Sequence, residues 1–378
     1  MKPPLVLPFL AVLTSAAVTQ TFVVDASNGP GTNFTSIAAA VAAVPDGAVV
    51  LVRPGTYDSF AIQGKSLSVF GGPGVAVTAL GATTSAYADV SGLSATQSVT
   101  LRQLAFGGGF LPAVIGCRDC VGTVVIDRCV IGDNGVGAYG RLLATNCDNV
   151  VVRDCLLETR EVLQSGLRCF GSNMSVSGTT IDSASFALRL AGGRVHLTGC
   201  VLASTPGLGP YQTAVCALAT GDLVLNGSTR LSSSANVPQL AAVGTGTVTF
   251  DPNTAFVNLA NPAFDPGLTV TNRPIPRLTV NPGQLGGVAS GSLAVPIGGT
   301  GALYVGFAVA AAAVPGVIDP IWLAPGAVLQ RVGTGPTVAG AYAVPNAPWV
   351  VGVQVAWQGV VLDPSGAVRA SNAAVYAH

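Results

Sequence analysis

The chain has 378 residues, of which only 9% are charged, with 17 basic and 17 acidic side chains and two histidines. A net charge of zero with no basic run excludes the electrostatic footprint that nucleic-acid binding requires. Forty-eight glycines and 25 prolines, beside abundant Val and Thr, point to a β protein rather than a helical one.

The chain opens as an export signal is expected to. Lys2 supplies the positive start, Leu5 to Leu13 a short apolar run, and Ser15-Ala16-Ala17 small residues for cleavage. Residues 1–17 are therefore expected to be a signal peptide, which implies a secreted or cell-surface protein and an oxidising compartment. Phe22–Asp25 reads as a first strand. Phe34, Ile37, Val41 and Val44 follow at helical spacing until Pro45-Asp46-Gly47 ends the helix. Val49–Val52 is a second strand.

A phrase then recurs. Thr123-Val124-Val125-Ile126-Asp127-Arg128-Cys129-Val130-Ile131 is matched by the segments starting at Ser98, Asn149, Asn173 and Arg194. The shared apolar anchors Leu101, Ile126, Val152, Val176 and Leu197 are 25, 26, 24 and 21 residues apart. A near-fixed period in this range is the signature of a solenoid, whose first coil needs a cap because it has no neighbour on one side. Val124, Ile126, Cys129 and Ile131 are expected to point inward, as are Val150, Val152, Cys155 and Leu157. The step of three marks a bend between sheets.

The entry, Phe34–Val41, Pro45-Asp46-Gly47 and Val50–Tyr57, resembles the opening of right-handed parallel β-helix proteins of the pectin-lyase-like superfamily, pectin methylesterases in particular. That resemblance implies an all-β, right-handed parallel β-helix with an N-terminal cap helix, spanning 18–263 in roughly nine coils. It also implies a comparison of catalytic motifs. The Gln-Asp-Thr-Leu, Asp-Phe-Ile-Phe-Gly and Gly-Arg-Pro-Trp stretches of the esterases are absent. So are the Asn-Thr-Asp, Asp-Asp and Gly-His-Gly motifs of polygalacturonase-like hydrolases, and Asp119, Asp127, Asp133, Asp148 and Asp154 are scattered rather than clustered as in calcium-dependent lyases.

Pro262, Pro266, Pro274 and Pro276 crowd where the repeat dies, so 264–276 is expected to be a linker. Gly301 to Ile318 carries no charge over 18 residues, but Pro315 interrupts it, and a buried strand pair fits better than a membrane span. Short strands between Gly, Pro and Asn turns over 277–378 predict a small antiparallel β-sandwich, with strands at Ser292–Pro296, Leu303–Val309, Ile321–Leu323, Ala341–Val344, Trp349–Gln358 and Val368–Tyr376. Its shape resembles C-terminal modules of secreted bacterial proteins, through Trp357, Val360–Pro364 and Ser371-Asn372.

The candidate site lies on the outward positions of the coils. One column reads Arg102, Asp127, Arg153 and the next Gln103, Arg128, Asp154, with Glu158, Arg160 and Glu161 just beyond. Two readings compete. In one, the charges alternate and form a surface ion-pair ladder that holds the coils in register, each pair contributing at most about 1 kcal/mol. In the other, Arg102, Asp127, Arg128, Arg153, Asp154 and Glu158 line a carbohydrate-binding groove, with paired carboxylates as a glycosidase requires. Cys129 and Cys155, in adjacent coils about 4.8 Å apart, suit either a disulfide or an unbridged ladder of small buried side chains.

Neither His196 nor His378 has a partner at ligand or triad spacing, so no metal and no cofactor is expected. The resulting expectation is a secreted, non-catalytic component with a structural, adhesion or carbohydrate-contacting role, whose partner is an extracellular polysaccharide or the cell surface. The alternative is a polysaccharide lyase or glycoside hydrolase working in a groove along the coils.

Overall fold

A computed structural model describes residues 20–78, 86–107, 113–132, 140–160, 164–205, 214–233, 239–260 and 263–378. The expected signal peptide, residues 1–17, and Glu161 lie outside this set. Thr21–Val24 pairs in parallel with Ala48–Val52, and the expected helix runs between them as Ile37–Ala43. Ser36 caps the helix, its hydroxyl accepting from the Ala39 N–H. Ile37, Ala40 and Val41 are buried over the open end of the core. Lys65 Nζ donates to the carbonyls of Val41 and Val44 at 2.8 and 2.7 Å, satisfying the helix end with a cation.

Beyond the cap the chain is a parallel β-solenoid. A typical coil gives Ser98–Arg102 to sheet 1, Ala105–Phe106 to sheet 2 and Ala113–Arg118 to sheet 3. Among the described residues sheet 2 has nine strands, one for each coil. The repeated phrase stacks in register: Ile126 lies opposite Leu101 and Val152, and Val124 opposite Val99 and Val150. Val124, Ile126, Cys129 and Ile131 are all sealed in one continuous core. Sheets 1 and 3 are joined by three long strands, Ser165–Ser177, Leu188–Thr198 and Ala214–Asn226.

The step of three has a backbone cause. Between sheets 1 and 2 a single left-handed residue turns the chain: Gln103, Arg128, Asp154, Gly178, Gly199 and Gly227, all with φ between 52° and 61°. In the first five corners the following residue drops into the core, which is why Cys129, Cys155, Thr179 and Cys200 share one interior column, while after Gly227 it is Thr229 that does so. A β-carbon at Gly178 would collide with the Asp154 carboxylate, so after polar residues in three coils glycine takes the corner from Gly178 onward.

All eight cysteines are free and buried. Cys129 and Cys155, weighed as a disulfide or an unbridged pair, stand unbridged in this structure. The Cys129 thiol donates to the carbonyls of Leu101 and Asp127, and that of Cys155 to those of Ile126 and Arg153. The Cys155 sulfur also accepts from the Cys129 N–H at 3.4 Å. Each sulfur meets backbone both in its own corner and in the preceding coil.

The last coil is closed by Phe250, Phe256 and Phe264, with ring centroids 5.4 to 5.5 Å apart. Within the expected linker, Thr269–Asn272 still adds a parallel strand to sheet 1, so the crossing itself is confined to the residues after it. The C-terminal module follows, with one antiparallel sheet of Leu278–Asn281, Val288–Ala294 and Thr337–Ala343. A second sheet holds Val328–Gly333, Thr300–Gly306, Gln354–Leu362, Val368–Ala370 and Ala374–Ala377. Leu293, Leu303, Val338, Trp357 and Tyr376 form the core between them.

Gly301 to Ile318 departs from the expected strand pair. Thr300–Gly306 and Ala308–Ala312 are both strands, but the second pairs with Ile321–Leu323 instead of with the first. Pro348–Val350 is a 3-10 turn, so the strand expected from Trp349 begins only at Gln354. Among the described residues no helix is long and apolar enough to cross a membrane.

Candidate functional site

The parallel register sets Asp127 directly opposite Arg102 on one side and Arg153 on the other. Arg153 meets the Asp127 Oδ1 with both Nε and Nη2 at 3.0 Å, while Arg102 Nε stands 3.4 Å from Oδ2. The Arg102 guanidinium also lies 5.7 Å from the centre of the Phe70 ring. That of Arg153 lies 5.7 Å from the ring of Tyr376, a residue of the C-terminal module.

This ladder is not at the surface. The Asp127 side chain is 1% exposed, because the C-terminal module docks along the outer side of sheet 1 and covers it. The adjacent outward column explains why. Val125 and Val151 point away from the core and pack against Ala356, Val375, Ala308 and Leu323 of the module. Polar ties flank this apolar seam. Gln354 Nε2 donates to Thr100 Oγ1 at 2.9 Å, Asn149 Nδ2 to the Val309 carbonyl at 3.2 Å and Ser175 Oγ to the Ala373 carbonyl at 3.3 Å. Arg102 Nη1 reaches the Ala377 carbonyl at 3.4 Å, and Arg273 bridges to Asp319 at 2.7 Å. At the near end Gly352, with φ of 84°, fits against Ser68 and Val49 where a side chain has no room.

His196 lies on the same outward column. Alternation points it away from the solenoid core, yet it is 3% exposed beneath the module. Burial drives its pKa down to about 4; Asp319 opposes this, while Arg194 and Arg273 add to it. The imidazole is therefore neutral at ordinary pH.

The remaining candidates do not join one cleft. Arg128 and Asp154 are the left-handed corner residues, partly exposed at the rim of the interface. Arg128 Nε is 3.9 Å from Asp127 Oδ1, and Asp154 Oδ2 is 3.4 Å from Arg153 Nε, so both corner charges turn back toward the buried pair. Burial raises the pKa of Asp154, partly offset by Arg153. Glu158 belongs to sheet 2, in register with Asp182, and its backbone carbonyl accepts from Arg141 Nε at 2.7 Å. Asp127 is enclosed and Glu158 is on a different face, so the carboxylates do not flank a common opening. Among the described residues no three His, Cys, Asp or Glu side chains converge on a possible metal position.

A concavity does occur on the outer side of sheet 3, where no site was expected from the sequence. Arg168 and Arg189 stand opposite each other in adjacent coils. Each guanidinium covers a phenylalanine, Phe170 or Phe186, at 5.3 Å from the ring centre. Beside them opens a cleft of about 360 Å³ floored by Ala191, Ala217 and Leu218. The signal was the 21-residue spacing of Arg168 and Arg189, which equals that of Val176 and Leu197.

A scan against protein-family models gives no match, and neither does a search of curated proteins. Fold and surface together define a parallel β-solenoid with an antiparallel β-module docked along one face.

Proposed function

We propose that the chain is a secreted, non-catalytic β-helix component of the pectin-lyase-like kind, acting outside the cell as a structural or adhesive element that contacts carbohydrate. The observation that carries this reading is the enclosure of Arg102, Asp127 and Arg153. The charges most suited to a groove neutralise one another beneath the module. The sheet 3 cleft offers Arg168, Phe170 and Arg189, whose guanidinium groups and aromatic ring suit the oxygens and apolar faces of sugar rings. Export of the chain by residues 1–17 belongs to the same reading.

The test is glycan-array binding alongside turnover assays on acidic and neutral polysaccharides. Binding without turnover, weakened at least tenfold in Arg189→Ala, is expected. Turnover of any polysaccharide would replace this reading with that of a lyase or hydrolase. Glycan binding unaffected by Arg189→Ala would remove the cleft from it.

A further inference from the structure

A second concavity, of about 530 Å³, lies at the joint between solenoid and module. Its volume is in the range of small-molecule sites. The floor is apolar, with Ile275, Val295 and Val361 buried beneath proline walls that include Pro276 and Pro364. Both units hold this wall rigid. From the solenoid, Asp251 Oδ2 accepts from the Ile275 N–H at 2.9 Å and Asn226 Nδ2 donates to the Pro276 carbonyl at 3.2 Å. From the module, the Ala294 N–H donates to the Arg277 carbonyl at 2.8 Å, and Asn372 Oδ1 accepts from the Leu278 N–H at 2.8 Å. Pre-organisation of this kind lowers the cost of binding.

The charges at the mouth do not cancel. Asp363 and Arg369 form a pair at 2.9 Å, and the Asp363 Oδ1 also accepts from the N–H groups of Ser365 and Ala367. That carboxylate is fully committed. Arg277 is exposed and makes no ion pair among the described residues. Its stem lies across the corner glycine Gly227, where a β-carbon would stand 3.0 Å from the Arg277 Cδ. An apolar floor with one uncompensated guanidinium at the rim has a matching ligand chemistry.

We propose that this joint binds a small amphipathic monoanion, an apolar ring or branched body carrying one carboxylate or sulfonate, with the acid group on Arg277 and the body on Ile275, Val295 and Val361. The linker residues Pro274–Arg277 and the module line the site, and the solenoid contributes the hydrogen bonds of Asp251 and Asn226 that hold the linker in place. The site is separate from the sheet 3 cleft, so glycan binding there and anion binding here succeed or fail independently.

The test uses the full chain and two fluorescent probes, 8-anilinonaphthalene-1-sulfonate and its neutral relative N-phenyl-1-naphthylamine. One saturable sulfonate site per chain is expected. Arg277→Ala should weaken the sulfonate at least tenfold and leave the neutral probe within about threefold, as loss of one charge-assisted contact implies. Ala294→Phe, at an exposed position on the groove lining, should weaken both probes by filling the space. Sulfonate affinity unchanged in Arg277→Ala, or either probe unaffected by Ala294→Phe, would overturn the assignment.

Discussion

Replacing Asp127 by alanine separates a buried charge ladder from a surface one. The carboxylate receives two Arg153 donors at 3.0 Å and stands 3.4 Å from Arg102, with almost no solvent contact. Its removal leaves two guanidinium groups enclosed beneath the module. Arg153 retains Asp154 at 3.4 Å, and Arg102 is partly exposed, so the penalty falls at the lower end of the range for breaking a buried pair, about 3 kcal/mol. A solvent-facing ladder would lose about 1 kcal/mol or less. Urea unfolding followed by tryptophan fluorescence reports on the module, because Trp322 and Trp357 are both sealed within it. The triple variant Arg102→Met, Asp127→Leu, Arg153→Met is expected within about 1.5 kcal/mol of the parent, since an apolar replacement of a whole buried network removes its desolvation cost too. An Asp127→Ala chain within about 1 kcal/mol of the parent would refute enclosure of the ladder.

His196 makes stability depend on acid. Its folded pKa of about 4 lies below the 6.5 of the unfolded chain, so the unfolded state binds more protons between those values. Its contribution is complete above about pH 6.5 and is lost as pH falls toward 4, by at most about 3 kcal/mol, and His196→Gln should flatten that part of a stability-against-pH curve. The eight buried thiols should be silent to a thiol reagent in the native protein and all react in denaturant, whereas an intact mass showing a Cys129–Cys155 bridge would contradict the free pair. Arg128→Gly should raise stability by up to about 1 kcal/mol in thermal unfolding, because glycine adopts the left-handed corner without strain and Arg128 contributes only a 3.9 Å contact. A destabilised Arg128→Gly chain would show that this contact outweighs the strain.

Coil register was legible because Val124, Ile126 and Cys129 recur with their neighbours at nearly constant spacing, and inward positions follow from alternation alone. The cap helix was legible for a similar reason, through Ile37 and Val41. Arg128 and Asp154 were harder. As charged residues they resemble ordinary outward positions, and only the glycines at 178, 199 and 227 in the same column betray a left-handed corner. The docked module was hidden for a different reason. Contacts such as Val125 with Val375 join residues some 250 positions apart, which no local period encodes. One clue was present: Val125 and Val151 are apolar at positions that alternation turns outward, and a valine pair facing away from a core requires a cover. The Arg168–Arg189 cleft required the third sheet to be aligned coil by coil, and the variable loop lengths between sheets 2 and 3 obscure that alignment.

The docked module has a mechanical consequence. A solenoid alone is a one-dimensional array, free to fray from either end and to gain or lose a repeat with little penalty. Here a single body is tied to Ser68 near the entry, to Thr100, Asn149 and Ser175 in the middle, and through Asp319 to Arg273 after the last strand. It acts as a splint laid across nearly the whole stack. Inserting one coil would slide every later anchor by about 4.8 Å and break all the ties on one side of the insertion at once. The number of coils is thereby locked to the length of the splint, and the stack should melt as one cooperative unit rather than coil by coil.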